Sequence, residues 1–268
     1  MDRMIGFSTG ALAFSDYDRA LKILTAFHIR CVELSALRQR ELSPLIAALE
    51  KDEIDLSAFE YKSFHAPSAI APGAEHEVVD ELLTVADLGF PVIVHPDVIE
   101  DYSAWEYLGS ALCIENMDRR KAIGRTADEL ESIFDRLPRA TLCFDIGHAR
   151  QVDTTMTEAY FIIQRFQARL RQVHVSEVNT RSHHDPLSYA ALLAFQPFGR
   201  LIRPEIPFII EAVIDSARVP SEITLVREAF SGTSESTLSM FGETTEDLIL
   251  LESPVSISVR LAAMAVAS

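Results

Sequence analysis

Six strand-like runs of this chain end in residues that can bind a metal ion or move a proton. The runs are YKSFHAPS, PVIVHPD, ALCIENMD, TLCFDIGHA, RQVHVSEVN and PFIIEAVI. The ligand-type residues at their carboxyl ends are His65, His95, Glu115, Asp145, His148, His174 and Glu211. A carboxylate at the end of an apolar strand is costly to bury unpaired, and a shared cation would offset that cost. The pattern therefore predicts one metal site assembled from many strand ends.

The prediction depends mostly on Glu115, Asp145, His174 and Glu211, because these residues lie at the ends of the last four predicted strands in succession. A single histidine such as His95, next to Pro96, is more often a hydrogen-bonded loop residue than a ligand when it is taken alone. Carboxylates combined with imidazole suit Zn, Mn, Mg or Co, and the ligand types do not choose among these divalent metals.

Strand-like and helix-like segments alternate along the chain, which predicts an α/β fold. The expected strands are 4–8, 31–35, one ending near 65, 91–95, 111–115, 140–145, 172–176 and 208–213. The expected helices are 17–27, 41–51, 75–88, 102–108, 156–170, one after Pro186, one near Pro220, and one that Thr126 and Glu129 would start as a capping box. Eight such units predict a (β/α)₈ TIM barrel. The competing fold, an open doubly wound sheet, would collect ligands at one crevice.

The barrel is expected to be a single domain over residues 1–232, since the alternation stops after Gly232. Residues 233–268 form a C-terminal extension, which could pack on the barrel, mediate homo-oligomerisation or lack fixed structure. The three cysteines, Cys31, Cys113 and Cys143, lie in strand-like runs and are expected to be buried core residues.

Composition narrows the class of partner. The formal net charge of −16 over 268 residues disfavours nucleic acid as a partner, although a local basic patch could survive it. The start MDRMIGFSTG has no long apolar stretch, and no run of about 20 apolar residues that would span a membrane is present. We therefore expect a cytoplasmic protein with no membrane association.

The motifs resemble those of the xylose isomerase-like TIM-barrel superfamily over about residues 4–230. They are IENMD on the fifth strand, DIGH on the sixth, VHVSE on the seventh and IIEA on the eighth. The superfamily includes sugar isomerases, ketose epimerases, inosose dehydratases and the endonuclease IV class. In the isomerases and epimerases the matching residues bind one divalent metal, and the resemblance assigns that role to Glu115, Asp145, His174 and Glu211.

The endonuclease IV class holds three zinc ions with a larger ligand set. The resemblance adds His65, His95, His148 and His184 as metal ligands. An acid of that class falls on Ser182 here, with Asp185 nearby, which leaves the third metal in question.

The ketose epimerases carry a second glutamate and an arginine where this chain has Lys121 and Thr180, so it departs from them as well.

The loop DRRKAIGR places cationic side chains just beyond Glu115. A cationic loop at the mouth of a metal site suits a phosphate or carboxylate substrate, although ordinary solvent-exposed charge explains it too. The candidate substrate-binding residues are Arg119, Arg120, Lys121, Arg150 and Arg181.

Three functions stay open. The first is a metal-dependent isomerase, epimerase or related lyase acting on a small sugar-like substrate, with or without a phosphate group, in which Glu115, Glu211 and His148 are catalytic. The second is an endonuclease IV-like zinc phosphoesterase with a two- or three-metal site. The third is a barrel that lost its chemistry, which the nearly intact ligand set disfavours.

Overall fold

Eight parallel strands close into a barrel in the computed structural model, which describes residues 3–14 and 16–231. Each strand pairs with its neighbours in sequence, and the eighth pairs with the first. The barrel strands, numbered one to eight below, are Ile5–Ser8, Cys31–Ser35, Tyr61–His65, Val92–Val94, Leu112–Glu115, Thr141–Asp145, Leu170–Val175 and Phe208–Ile210. The predicted (β/α)₈ barrel is therefore confirmed. The predicted extension, 233–268, lies outside the described residues.

Helices follow the strands around the barrel. The α-helices of the described ranges are Thr9–Ala13, Tyr17–Ala26, Gln39–Glu50, Glu75–Asp87, Tyr102–Trp105, Ala127–Arg136, Ile146–Val152, Thr157–Phe166, Tyr189–Phe195 and Val219–Ala229. Short 3₁₀ helices are Pro96–Val98, Glu106–Ala111, Gln167–Arg169, Gln196–Arg200 and Ser216–Arg218. Among the described helices, none combines the length and the apolar character that crossing a membrane requires.

Alternation along each strand separates two layers of side chains. Large apolar residues such as Phe7, Phe64 and Phe144 are fully buried in the main hydrophobic core. The other strand face includes polar residues and a separate small cluster of Ile93, Cys113 and Cys143. The burial expected for all three cysteines is confirmed.

Gly6 shows how closely the first two strands pack inside the barrel. A Cβ atom at this position would lie 1.8 Å from the carbonyl oxygen of Cys31. No side chain fits there, because real Cβ atoms do not approach backbone oxygen so closely.

Three secondary-structure elements at the barrel mouth were not predicted from the sequence. Short helices follow strands one and six, over Thr9–Ala13 and Ile146–Val152. A two-stranded antiparallel hairpin pairs Glu177–Val178 with His184–Asp185 after strand seven. All three are too short to show a periodic hydrophobic pattern.

The helix start at Thr126 is confirmed, since the Thr126 side chain accepts a hydrogen bond from the Glu129 N–H. The reciprocal half of the capping box differs from expectation. The Glu129 carboxylate accepts from the N–H of Arg125, one residue before the cap, and from the Arg125 guanidinium as well. The backbone N–H and the guanidinium of Arg125 both bind the carboxylate of Glu129, and the charge of the guanidinium makes this contact favourable.

Candidate metal centre

All eight predicted metal ligands lie together at the carboxyl-terminal end of the barrel, on strand ends or on the segments that follow them. They form three groups, and within each group the potential ligand atoms lie within 4.8 Å of one another. The groups are His65, His95 and Glu115; Glu115, Asp145, His174 and Glu211; and Asp145, His148 and His184. Glu115 and Asp145 each belong to two groups. The carboxylates therefore link the three groups into one continuous cluster.

The first group joins strands three, four and five. Nε2 of His65 lies 3.2 Å from Oε2 of Glu115, and Nε2 of His95 lies 3.4 Å from the same oxygen. Nδ1 of His65 donates to the carbonyl oxygen of Ala66 over 2.8 Å. This bond fixes the ring orientation and leaves Nε2 as the nitrogen that faces Glu115.

The second group occupies the centre of the barrel mouth. Nδ1 of His174 lies 3.5 Å from Oε1 of Glu115 and 3.3 Å from Oε2 of Glu211. Strands six and seven pair so that Asp145 and His174 are direct neighbours. This register brings a carboxylate and an imidazole from adjacent strands to the same level.

Asp145 is positioned by the motif DIGH and by a brace from strand five. Its Oδ1 accepts a 2.6 Å hydrogen bond from the N–H of His148, which lies in the first turn of the helix Ile146–Val152. Asn116 accepts from the Asp145 N–H and donates to the Asp145 carbonyl oxygen, both over 2.8 Å. At Gly147 a Cβ would lie 2.5 Å from the Ser176 carbonyl oxygen, so the motif requires glycine there.

The hairpin after strand seven places His184 next to Asp145 and His148, the other members of the third group. Nδ1 of His184 lies 2.9 Å from the hydroxyl of Ser176, and its ring meets that of His148 edge to face. Ser182 receives a hydrogen bond from Gln151, whereas Asp185 is exposed and accepts from Asn179. Asp185 therefore lies outside the third group, which consists of Asp145, His148 and His184.

The unpaired polar atoms of the centre fit a cation. In the described ranges, six buried side-chain atoms have no hydrogen-bond partner, and four of them belong to predicted ligands: Nδ1 of His95, Oε1 of Glu115, Oδ2 of Asp145 and Nδ1 of His174. Buried polar atoms without partners cost free energy, and coordination to a cation removes that cost. The donor set therefore fits one or more divalent metal ions.

Electrostatic coupling divides the imidazoles into two kinds. Burial alone would lower the pKa of His65, but its hydrogen bond to Glu115 and the charge of that residue raise it to about 9. For His148, burial is likewise outweighed by the negative charges of Asp145 and Glu115, which raise its pKa to about 10. Burial dominates at His95 and lowers its pKa. Before a metal binds, the centre therefore holds protons on His65 and His148 at neutral pH.

The carboxylates respond in opposite directions. Burial would raise the pKa of Glu211, but the positive charge of His174, whose Nδ1 lies 3.3 Å away, lowers it to about 2. At Asp145 burial prevails, and the pKa is raised. The central carboxylate, Glu115, is ionised, since the charges of His174 and His95 outweigh its burial and lower its pKa well below the ordinary value.

The buried carboxylate of Glu33 supports His174 from one layer deeper in the barrel. Oε2 of Glu33 accepts from Nε2 of His174 over 3.1 Å, from Gln172 over 2.7 Å and from Ser63 over 3.1 Å. Tyr61 in turn donates to the amide oxygen of Gln172. Glu33 thereby provides an acceptor beside Nε2 of His174, while Nδ1 of the same ring faces Glu115 and Glu211.

The cluster opens into a cavity of about 470 Å³ at the barrel mouth. Of the five predicted substrate-binding residues, Arg120 and Lys121 line it. Arg120 pairs with Asp118, and Nζ of Lys121 lies 2.7 Å from Asp97. The pairings hold both cations at the rim, beside the ligand groups.

The other three predicted substrate-binding residues lie elsewhere. Arg119 and Arg181 are exposed and Arg150 pairs with Glu177, and none of the three lines the cavity. Sequence position alone did not separate these residues from Arg120 and Lys121, because loop conformation decides which side chains face inward.

The comparisons with known proteins agree with this geometry. Residues 97–228 match the family model of the xylose isomerase-like TIM barrel, which confirms the resemblance drawn from the motifs. None of the curated proteins matches the chain significantly.

Solved structures share the fold. Endonuclease IV from Thermus thermophilus superposes with a TM-score of 0.57 at 18% identity, covering 86% of this chain and 100% of that chain. A xylose isomerase domain protein from Planctomyces limnophilus gives a TM-score of 0.52 at 12% identity, covering 85% of this chain and 97% of that chain. A structure described as a sugar phosphate isomerase/epimerase from Anabaena variabilis gives a TM-score of 0.50 at 15% identity, covering 85% of this chain and 88% of that chain. These likenesses show that the chain shares the barrel fold of the three structures.

Replacing Glu33 tests its support of His174. We expect Glu33→Ala to weaken zinc binding by about 10- to 100-fold, because Nε2 of His174 loses its acceptor. Glu33→Gln keeps an acceptor oxygen and should lose less. Competition titration with a chromophoric chelator measures the affinity, and Glu60→Ala, at an exposed carboxylate that pairs with Arg30, is the matched control. Unchanged affinity in a folded Glu33→Ala protein would contradict this role.

Metal binding should release protons at neutral pH. The raised pKa values of His65, about 9, and His148, about 10, mean that both imidazoles are protonated at pH 7 without metal. The pKa of His174 is also raised well above its ordinary value. Because a ligand imidazole must be neutral, we expect release of at least two protons per chain on saturation, with His174 adding to this number. As the pH rises through 9 and 10 His65 and His148 lose their protons beforehand, so the release should fall and the apparent affinity should rise. Calorimetry in buffers of different ionisation enthalpy counts the protons, and no release at pH 7 would refute the assignment.

Proposed function

We propose that this chain is a phosphoester hydrolase whose centre holds at least two divalent ions. The observation that supports this most is the sharing of carboxylates: Glu115 lies in two ligand groups and so does Asp145. A carboxylate shared between two groups can bridge two ions, and paired ions are typical of enzymes that displace groups at phosphorus.

Zinc is the metal that the ligand set favours. Five of the eight residues in the three groups are histidines. Imidazole suits zinc and other transition metals, whereas magnesium prefers oxygen ligands. When bound, such ions neutralise the charge of a phosphate group and lower the pKa of a water molecule.

Residues of the chain would position the ions, transfer protons and bind the phosphate group. We assign Glu115 to holding two ions in register. Glu211 and His148 line the cavity, and we assign proton transfer to them. The cations Arg120 and Lys121 would bind phosphate oxygens in competition with Asp118 and Asp97.

A small phosphate ester suits this cavity better than a nucleic acid. The volume of about 470 Å³ lies within the range of small-molecule pockets. A net charge of −16 disfavours a long polyanion, which basic surfaces normally bind. The endonuclease IV likeness still makes duplex DNA a necessary comparison substrate.

The second candidate is an isomerase or epimerase that uses a single ion. The buried group of Glu115, Asp145, His174 and Glu211 supports it, because these four residues could bind an ion without the other groups. In that enzyme Glu115 and Glu211 would move protons to and from carbon in a sugar-like substrate. His65 and His95 would then be dispensable for metal binding.

Zinc content and phosphodiester hydrolysis distinguish the two candidates. We expect at least two zinc ions per chain by elemental analysis, with zinc-dependent hydrolysis of bis(4-nitrophenyl) phosphate. The double variant His65→Ala/His95→Ala removes two ligands of the first group, so it should lose about one ion and more than about 100-fold in turnover. His76→Ala, at an exposed histidine that pairs with Asp101, is the matched control.

The opposing result is also defined. One ion per chain, retained in the double variant together with its activity, would contradict the hydrolase and favour the isomerase. Hydrolysis of a duplex DNA oligonucleotide in preference to the small diester would overturn the assignment of substrate size.

A further inference from the structure

The cavity above the metal-ligand groups has an apolar wall that the proposed function leaves without a role. Ala11, Phe14, Leu37 and Val213 line it. Phe14 is 66% exposed and Val213 is 48% exposed, although both are large and apolar. An exposed apolar surface that lines a cavity is a feature of ligand-binding sites.

Barrel topology places this wall opposite the cationic rim. Ala11 and Phe14 follow strand one, Leu37 follows strand two, and Val213 follows strand eight. These three strands are neighbours in the closed barrel, whereas strand five lies four positions from strand one in either direction. The loop that follows strand five contributes Arg120 and Lys121. The ligand groups therefore lie between an apolar side and a cationic side.

The backbone at Phe14 adds a second observation. Phe14 ends the short helix Thr9–Ala13 with φ 56° and ψ −122°, a conformation that favours glycine. A phenylalanine there is strained, and strained residues cluster at functional sites. The conformation leaves the ring exposed at the cavity.

We propose that the apolar wall binds a planar aromatic ring of the substrate while the metal-ligand groups bind its phosphate. This inference rests on the proposed phosphoester hydrolase and adds the class of its substrate, a small phosphate ester that carries an aromatic ring. An aromatic ring fits better than an alkyl chain, because the exposed ring of Phe14 can stack against it or meet it edge to face. Leu37 and Val213 extend the apolar contact.

Two phosphonates with six carbon atoms each, one aromatic and one alkyl, test the wall directly. Calorimetry on the zinc-loaded protein would compare phenylphosphonate with n-hexylphosphonate, because neither compound has a phosphoester bond to hydrolyse. We expect the phenyl compound to bind about tenfold more tightly. In Phe14→Ala the two affinities should converge to within about twofold, because the stacking surface is gone.

Two further variants control for effects on folding and for the loss of any exposed phenylalanine. Phe14→Gly suits the positive φ, so it should fold at least as well as the wild type while also losing the preference for the ring. Phe27→Ala removes an exposed phenylalanine that does not line this cavity, and it should keep the preference.

Each failure identifies what is wrong. Equal binding of the two phosphonates by the zinc-loaded wild type would overturn the aromatic site and leave the phosphoester hydrolase standing. A ring preference that survives in both Phe14 variants would overturn the role of this wall. Absence of zinc-dependent binding of either compound would overturn the proposed function together with the inference.

Discussion

The structure depends on the burial of two carboxylates, Glu115 and Asp145, at the mouth of the barrel. Their side chains are at most 1% exposed, so each would be costly to ionise without compensation. Imidazoles from neighbouring strands supply part of that compensation, and the unpaired oxygens that remain point to divalent cations for the rest. Cation binding would therefore stabilise the barrel mouth, because without it the like charges of the two carboxylates lie close together.

Hydrogen bonds from residues around the centre hold its candidate ligands in position. Glu33, Gln172 and Ser63 lie one layer deeper in the barrel, and their hydrogen bonds hold His174 in a single orientation. Asn116 does the same for the backbone of Asp145. Such bracing fixes ligand positions before an ion arrives, which reduces the free-energy cost of assembling the site.

Much of the fold and the clustering of the candidate ligands could be predicted from the sequence, because both follow simple rules of strand geometry. Parallel strands of a barrel end at one face, so polar residues such as Glu115 and His174 at strand ends must converge. The apolar wall could not be predicted in this way. Phe14 and Val213 lie in loops, and whether a loop side chain faces the cavity depends on tertiary contacts. The same reason explains why Arg150 was expected at the rim and instead pairs with Glu177.

Anomalous diffraction from crystals of the zinc-loaded protein, recorded on either side of the zinc absorption edge, tests the central claim most directly. The account predicts at least two zinc peaks at the barrel mouth, separated by about 4 Å, with the Glu115 carboxylate between them. A single peak confined to Glu115, Asp145, His174 and Glu211, or no peak at these residues, would contradict it.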